Sequence, residues 1–221
     1  MLPSDPVALA LLLGALALLP LAVAMTTSFL KISVVLVLVR NALGVQQAPP
    51  TIALNGIALA MTLFIMAPVA QDCFARYERI AAAPAGIELR GTVAEVQRLA
   101  PVLDPLREFL FRNSRGDERR LFVDAASRAW PPERARAIGE RDWPVLIPAF
   151  VVSELLAAFE IGFLLAVPFV VIDLLVSNLL LALGMQMVSP MMLSLPLKIL
   201  LFVILDGWGR LLHALVLSYQ S

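Results

Sequence analysis

Very few side chains in this sequence could carry catalysis. The 221 residues contain one histidine, His213, and one cysteine, Cys73. A zinc protease needs two histidines on one helix face, and a disulfide or cysteine cluster needs more than one thiol. Asp173 and Asp206 could form an aspartyl pair, but Asp206 precedes Arg210 by four residues, which favours an ion pair on one helix. We therefore predict that the chain is not an enzyme and needs no cofactor or metal.

Two charged residues occupy places where a lone charge is costly. Glu154 and Lys198 carry opposite charges and lie in separate apolar segments. An ionised side chain in an apolar environment is tolerated when it is paired or faces water. We predict that Glu154 and Lys198 form a buried ion pair, either within one chain or between two.

Four of the eight methionines fall in one short stretch, from Met185 to Met192, beside Gly184 and Pro190. Proline interrupts a regular helix, and methionine combines three rotatable bonds with a polarizable sulfur. The pattern predicts a flexible turn with soft side chains. In a ring of several copies, such turns could close an empty channel or fit around a passing polypeptide. On the pattern alone, an ordinary packed turn with methionine as filler is the simpler interpretation.

The composition indicates a membrane protein. Apolar residues make up 60% of the chain, charged residues 15%, and the mean hydropathy is +0.88. No water-soluble fold can bury that much apolar surface. The formal net charge is zero. We therefore expect no nucleic-acid partner, because phosphate binding needs an excess of clustered basic residues.

Charge divides the chain into three parts. Residues 72–142 hold 25 of the 34 charged side chains, whereas residues 7–25 and 51–70 hold none. Each uncharged stretch is close to the ~20 residues that cross a bilayer core, and 145–205 is long enough for two or three such helices. We predict an all-α fold of membrane-associated hydrophobic helical hairpins with a small polar helical insertion, divided at 1–71, 72–143 and 144–221.

The first apolar segment has the small-x-small form of a signal-peptide cleavage site at Ala22-Val23-Ala24. The basic region that usually precedes such a segment is missing. We expect an uncleaved helix, with a cleaved signal peptide as the alternative.

The insertion has the period of an amphipathic helix. Its apolar residues recur at steps of three and four: Leu89, Val93, Val96, Leu99, Leu103, Leu106 and Leu110. Pro101 and Pro105 should bend or break this helix, residues 113–117 form a turn, and Pro131 and Pro132 end the segment after that turn. Its basic residues are all arginines, which indicates solvated, salt-bridged helices, with a dedicated binding surface as the alternative.

The carboxyl-terminal apolar region contains more prolines and charges than a simple lipid-facing helix tolerates. They are Pro148, Pro168, Pro190, Pro196, Glu154, Glu160, Asp173 and Lys198. Such groups should face partner helices or a pore, so the region predicts an assembly. Ala53, Gly56 and Ala60 place small residues near one helix face, where another backbone could approach closely; ordinary lipid-facing residues explain this stripe equally well.

Several long motifs occur in an order that resembles the FliP/SctR family. They are Thr27-Ser-Phe-Leu-Lys-Ile-Ser-Val-Val, Leu38-Val-Arg-Asn-Ala-Leu-Gly-Val-Gln-Gln-Ala-Pro-Pro50, Phe150-Val-Val-Ser-Glu-Leu, Phe159-Glu-Ile-Gly-Phe, Pro168-Phe-Val-Val-Ile-Asp173, Gly184-Met-Gln-Met-Val-Ser-Pro190 and Leu205-Asp-Gly-Trp208. The resemblance covers everything except the variable insertion. Ser189-Pro190, where flagellar members tend to have two prolines, favours the injectisome branch.

The resemblance implies a function that composition cannot show. Members of this family form the core of the type III secretion export apparatus, the export gate through which unfolded proteins cross the bacterial inner membrane. Several copies assemble with SctS-like and SctT-like subunits, and SctU-like and SctV-like proteins are expected nearby. The resemblance also implies a periplasmic insertion and a methionine-rich pore gasket, here Met185, Gln186, Met187, Met191 and Met192. The alternative is an independent polytopic small-molecule transporter.

Overall fold

A computed structural model describes residues 6–45, 48–82, 98–185 and 187–219. These residues contain the helices α1 (Pro6–Thr26), α2 (Phe29–Leu43), α3 (Thr51–Ala82), α4 (Asp104–Asn113), α5 (Gly116–Ala129), α6 (Pro132–Ala137), α7 (Trp143–Ala182), α8 (Pro190–Ile204) and α9 (Gly207–Leu217). A 3₁₀ helix, Ala100–Leu103, precedes α4. No β-strand occurs within the described ranges, and the predicted all-α fold with apolar helices is confirmed.

Two helices, α3 with 32 residues and α7 with 40, are each long and apolar enough to cross a membrane. Two bent pairs, one formed by residues 16–26 and α2 and the other by α8 and α9, pass the same test if each pair crosses as one span. The described residues therefore allow two to four spans by length and composition.

The chain divides into two compact units. The first contains residues 1–30 and 66–154, and the second contains residues 31–65 and 155–221. The three-part division drawn from charge follows polarity and not compactness, and it stays a prediction.

The first unit contains the polar insertion, and a small apolar core holds it together. Phe109 on α4 lies with its ring centre 5.9 Å from that of Phe150 on α7. Leu110 and Leu146 are fully buried beside them. Burial of side chains from α4 and α7 stabilises this part of the fold, because apolar area removed from water contributes about 25 cal/mol per Å².

Prolines set the helix ends in the insertion, as the sequence predicts. Pro101 lies in the first turn of the 3₁₀ helix, and Pro105 lies in the first turn of α4. The helix is interrupted at Ser114 and Arg115, between α4 and α5, and again at Pro131, just before α6. The amphipathic pattern is only partly described, since Leu89, Val93 and Val96 lie outside the described residues.

The second unit is built around α2, whose Ile32, Val35, Leu36 and Val39 are all fully buried. At Gly162 on α7, an added Cβ would overlap the side chain of Leu38, so this glycine permits close approach of α7 to α2. On α3, Leu54 and Ala58 are the buried residues of the first two turns. The predicted small-residue stripe, Ala53, Gly56 and Ala60, is exposed in this chain.

Helices α8 and α9 are bent by 59° at a short break. Asp206 adopts a left-handed conformation there, with φ 51°, and occupies the N-cap position of α9 without a capping hydrogen bond from its side chain. Gly207 follows where a Cβ would overlap the ring of Phe202. The Phe202 ring in turn meets the edge of Trp208, 5.3 Å between ring centres. The close packing of Gly207 and Trp208 against the Phe202 ring therefore determines the direction of α9.

Candidate functional site: the methionine turn and the buried lysine

The methionine turn comprises residues 184–189, between the end of α7 and the start of α8. Gly184 has φ +72°, a conformation that glycine adopts without strain. Its N–H donates to the carbonyl of Leu181 over 3.0 Å, and the N–H of Met185 donates to that of Leu180 over 2.9 Å. These two bonds form a Schellman motif, which ends a helix with its last carbonyls satisfied. The turn is therefore a defined structure that presents Met185 at a fixed backbone position.

The methionine side chains of this turn are exposed within the chain. Met187 is 99% exposed, more than any other large apolar side chain of the described residues. Met192 is 76% exposed, and Met185 and Met191 are each 45% exposed. Gln186, the fifth predicted gasket residue, lies outside the described residues. Apolar side chains exposed together in this way form a surface that lipid or another protein can cover.

The start of α8 lies against the end of α2. Ser189 is the residue before α8, and Pro190 occupies its first turn, where the missing N–H costs nothing. A Cβ placed on Gly44, just after α2, would lie 3.6 Å from Cε of Met191. The carboxyl-terminal side of the turn is thus in contact with the end of α2.

A buried lysine ties three helices together two turns further along α8. The Nζ of Lys198 donates to Oδ2 of Asp173 on α7 over 2.6 Å and to the backbone carbonyl of Ala42 on α2 over 3.5 Å. The Lys198 side chain is 7% exposed and that of Asp173 is 43% exposed. The last carbonyls of a helix carry partial negative charge. The lysine cation is therefore stabilised by the carboxyl end of α2 as well as by the Asp173 carboxylate. These contacts join α8 to α7 and α2.

Glu154, the partner predicted for Lys198, belongs to the first unit and is 2% exposed. The ion pair in which the structure places Lys198 is with Asp173. The pairing of Glu154 with Lys198 therefore stays a prediction. The sequence offered three acidic residues in the apolar region, and periodicity gave no means of choosing Asp173 among them.

The second predicted ion pair, Asp206 with Arg210, occupies the start of α9. The backbone N–H of Arg210 donates to the backbone carbonyl of Asp206 over 3.1 Å. Both side chains are exposed, and the contact between their charged groups stays a prediction.

One polar contact near the chain's end was missed by the sequence argument. Lys31, 4% exposed on α2, lies with its Nζ 3.7 Å from the centre of the Tyr219 ring. A cation over an aromatic face is attracted by the ring's quadrupole. Lys31 and Tyr219 are 188 positions apart in the sequence, so no local pattern joins them.

The described residues of this site combine the exposed thioethers of the methionine turn with the buried contacts of Lys198. Among the described residues, no three His, Cys, Asp or Glu side chains come together in a way that could hold a metal ion. The groups that this site offers for contact are the exposed thioethers and the apolar helix faces, and the Lys198 contacts hold its helices together.

Comparison with known proteins identifies the family. The FliP family matches residues 12–215. The "Harpin secretion protein HrpW" of Pseudomonas syringae pv. syringae is 53% identical over 212 residues, which cover 96% of this chain and all of that protein. The "Yop proteins translocation protein R" of Yersinia pestis is 47% identical, covering 97% of both chains. The "Virulence protein YscR" of Salmonella typhimurium is 45% identical, covering 99% of both. The chain belongs to the FliP family.

Proposed function

We propose that several copies of this chain form, with SctS-like and SctT-like subunits, the channel of a type III secretion export gate, and that their methionine turns seal it. The chain is a subunit of that gate, of the injectisome type, since its relatives carry names of harpin, Yop and virulence secretion. Unfolded proteins are the expected cargo, and SctU-like and SctV-like proteins are expected neighbours.

The single observation that carries the sealing function is the exposure of Met187. A fixed Schellman turn holds the neighbouring Met185 in place, while the Met187 side chain is 99% exposed. Exposed apolar groups on such a turn are stabilised when copies of the turn meet around an axis. Methionine suits this contact, because its flexible thioether fills irregular gaps and can yield to a passing chain.

Apolar surface along the membrane-length helices supports assembly. Large apolar side chains on the outer faces of α7 and α8 are more than half exposed: Phe159, Phe163, Leu164, Leu174, Leu175, Leu200, Val203 and Ile204. Lipid or neighbouring subunits must cover these faces in the membrane. No observation favours the alternative of an independent small-molecule transporter, and the names of the relatives argue against it.

The sealing function is tested by shortening the two methionines of the turn. In the gate reconstituted with its partner subunits, the double variant Met185→Ala and Met187→Ala should leak small ions while the complex assembles normally. The apolar plug is lost, whereas the Lys198 contacts and the helix packing remain. Leak is measured as ion flux through vesicles, and assembly by copurification of the partner subunits.

A matched control is Met66→Ala, which removes an identical thioether from α3, where Met66 is only partly exposed. This control should assemble and stay tight. A double variant of the turn that assembles, secretes and stays as tight as the control would remove Met185 and Met187 from the seal.

We further propose that the gate lies in the inner membrane with the insertion in the periplasm. Ser127 on α5 is exposed, and its hydroxyl donates to a carbonyl of its own helix, that of Asp124, over 2.7 Å. With Cys73 replaced by serine, the variant Ser127→Cys should react with a membrane-impermeant thiol reagent once the outer membrane is permeabilised. Labelling that requires lysis of the inner membrane would contradict the periplasmic placement.

A further inference from the structure

The bend between α8 and α9 is locally unfavourable. Asp206 has φ 51° there, in the left-handed region that residues with a Cβ rarely occupy. Its side chain makes no capping hydrogen bond. The first backbone bond of α9 runs from the N–H of Arg210 to the carbonyl of Asp206. The N–H groups of residues 207–209 therefore come before the first helical bond and receive no cap from Asp206.

A straight connection would remove these costs and introduce another. In one continuous helix, the N–H groups of residues 207–209 would donate to the carbonyls of residues 203–205, four positions back. Asp206 would return to the right-handed conformation. Gly207 and Gly209 would then lie inside a helix, where glycine is less favourable than alanine. The bent and the straight connection thus each carry a local penalty, so contacts elsewhere decide between them.

The bent connection depends on the absence of a side chain at Gly207. A Cβ at this position would overlap the ring of Phe202. In a straight helix, residues five positions apart do not face each other, because helical neighbours on one face are three or four positions apart. A methyl group at position 207 would therefore oppose the bent form and be accepted by the straight one.

The packing beside the bend is incomplete. An apolar cavity of about 450 Å³ is lined by side chains of α7, α8 and α9, among them Phe169, Leu201 and Leu211. Side chains that border such a space lack the dispersion contacts that a close-packed interior provides. The surroundings of the bend therefore hold α9 less firmly than a filled core would.

Contacts further along α9 hold it against the rest of the second unit. Leu211 and Leu215 are buried. Just after the helix, the ring of Tyr219 lies 3.7 Å from Nζ of Lys31 on α2, and Lys31 is 4% exposed. The attraction of a cation to an aromatic face is stronger where water is excluded. This contact, the Lys31–Tyr219 latch, joins the end of α9 to α2.

We propose that the bend between α8 and α9 is a hinge with a bent and a straight position, and that the Lys31–Tyr219 latch selects the bent one. Lys198 binds Asp173 on α7 and the Ala42 carbonyl on α2, so α8 stays in place while α9 turns. Release of the latch moves α9 away from α2. The hinge is a property of a single copy of the chain and depends on neither the methionine seal nor a partner subunit.

Distances between α2 and α9 test the latch. Spin labels at Asn41→Cys and His213→Cys, both at exposed positions, report the direction of α9 in the full-length, detergent-solubilised chain with Cys73 replaced by serine. Pulsed electron paramagnetic resonance should show one main distance. Tyr219→Leu should raise the population of a second, separate distance by about tenfold. Tyr219→Phe keeps the ring over the lysine and should behave like the labelled parent.

Substitutions at the bend should shift the same two populations. Gly207→Ala should favour the second distance even with the latch intact. Asp206→Gly, combined with Tyr219→Leu, should lower the second population by about fivefold, because glycine takes the left-handed conformation without strain. The control Gly56→Ala adds a methyl group to α3 where no other atom lies within 4 Å, and it should leave the distances unchanged.

Three results would overturn the hinge or its latch. A single unchanged distance in both Tyr219→Leu and Gly207→Ala would show that α9 does not turn. A broad distribution, with loss of helix content in circular dichroism, would show that α9 unfolds instead. Equal behaviour of Tyr219→Phe and Tyr219→Leu would show that the ring over Lys31 is not the latch. None of these measurements requires secretion, so the hinge and the gate proposal can fail separately.

Discussion

Ion pairs in the two compact units of this protein lie in opposite surroundings. In the insertion, Arg120 and Asp117 meet at 3.1 Å with side chains 69% and 93% exposed. In the second unit, Lys198 and Asp173 meet at 2.6 Å, and the lysine side chain is 7% exposed. Water and salt screen the first pair, whereas the second has few other partners for its charge. The comparison teaches that location, more than distance, decides how much a pair matters.

The largest expected effect is the reversal of the buried lysine's charge. Lys198→Glu places a carboxylate beside Asp173, where a lysine now neutralises it, and should abolish copurification with the partner subunits. Asp173→Lys combined with Lys198→Glu should recover part of the assembly, because the pair is restored in reverse. Copurification from membranes is the measurement.

The same reversal decides between the two partners proposed for Lys198. If Glu154 pairs with Lys198 of the same or another copy, Glu154→Lys combined with Lys198→Glu should also recover assembly. If only the double variant with Asp173→Lys recovers assembly, Lys198 pairs with Asp173 and not with Glu154. Failure of both double variants would show that local packing, and not charge pairing, fixes the residue at position 198.

A smaller effect is expected when Lys198 is replaced by methionine, which keeps the length of the side chain. The variant leaves Asp173 without its cation and the Ala42 carbonyl without its donor. Removal of one partner from a buried pair costs about 3–5 kcal/mol, and the partial exposure of Asp173 points to the lower end of this range.

Thermal unfolding of the detergent-solubilised chain measures this loss. Lys198→Met combined with Asp173→Asn should be more stable than Lys198→Met alone, since no charge is stranded. A double variant as unstable as the single one would mean that the carboxylate of Asp173 does not depend on Lys198.

Local features of the fold were predictable from sequence, because one residue type sets each of them. Gly184 and Pro190 end and start helices by their own backbone preferences, and Pro101 and Pro105 do the same in the insertion. The uncharged stretch 51–70 predicts the membrane-length helix α3, since bilayer thickness sets the length of such a stretch.

The contacts of the site were less predictable, because they depend on how helices pack. Lys198 had three acidic residues to choose from in the apolar region, and the choice of Asp173 follows from the register of α7 against α8. The contact of Lys31 with Tyr219 joins residues far apart in sequence. The gasket function of Met187 stays a proposal, because the structure gives the exposure of this side chain and not what covers it.

An intermediate effect is expected at Arg119, a side chain of the insertion with several hydrogen-bond partners. Its Nη1 donates to the carbonyl of Phe111 and to Oγ of Ser114, each over 3.0 Å, and also to the Ser114 carbonyl. Its Nε lies 3.1 Å from Glu140, and the side chain is 13% exposed. Arg119→Ala should lower the stability of the insertion by about 2 kcal/mol, because it strands several acceptors.

Hydrogen exchange of the α4 and α5 amides measures this loss within the whole chain. Arg119→Lys keeps the charge but cannot reach all the acceptors with a planar fork, so it should recover only a small part. Protection as high as in the wild-type chain would show that the Arg119 contacts contribute little to the insertion.

The smallest effect is expected at Arg120, one position along the same helix. Arg120 carries the same charge as Arg119 and makes an ion pair of the same length, 3.1 Å in both cases. Its side chain is 69% exposed, however, and the side chain of its partner Asp117 is 93% exposed. Exposed pairs of this kind contribute about 0–1 kcal/mol, because water replaces the lost contact and salt screens the charges. Arg120→Ala should therefore leave the stability of the insertion, measured by hydrogen exchange, within about 0.5 kcal/mol of wild type. A loss as large as that of Arg119→Ala would break the comparison, since exposure would then not distinguish two pairs of equal length, and it would point to a partner that covers this face of α5 in the assembled gate.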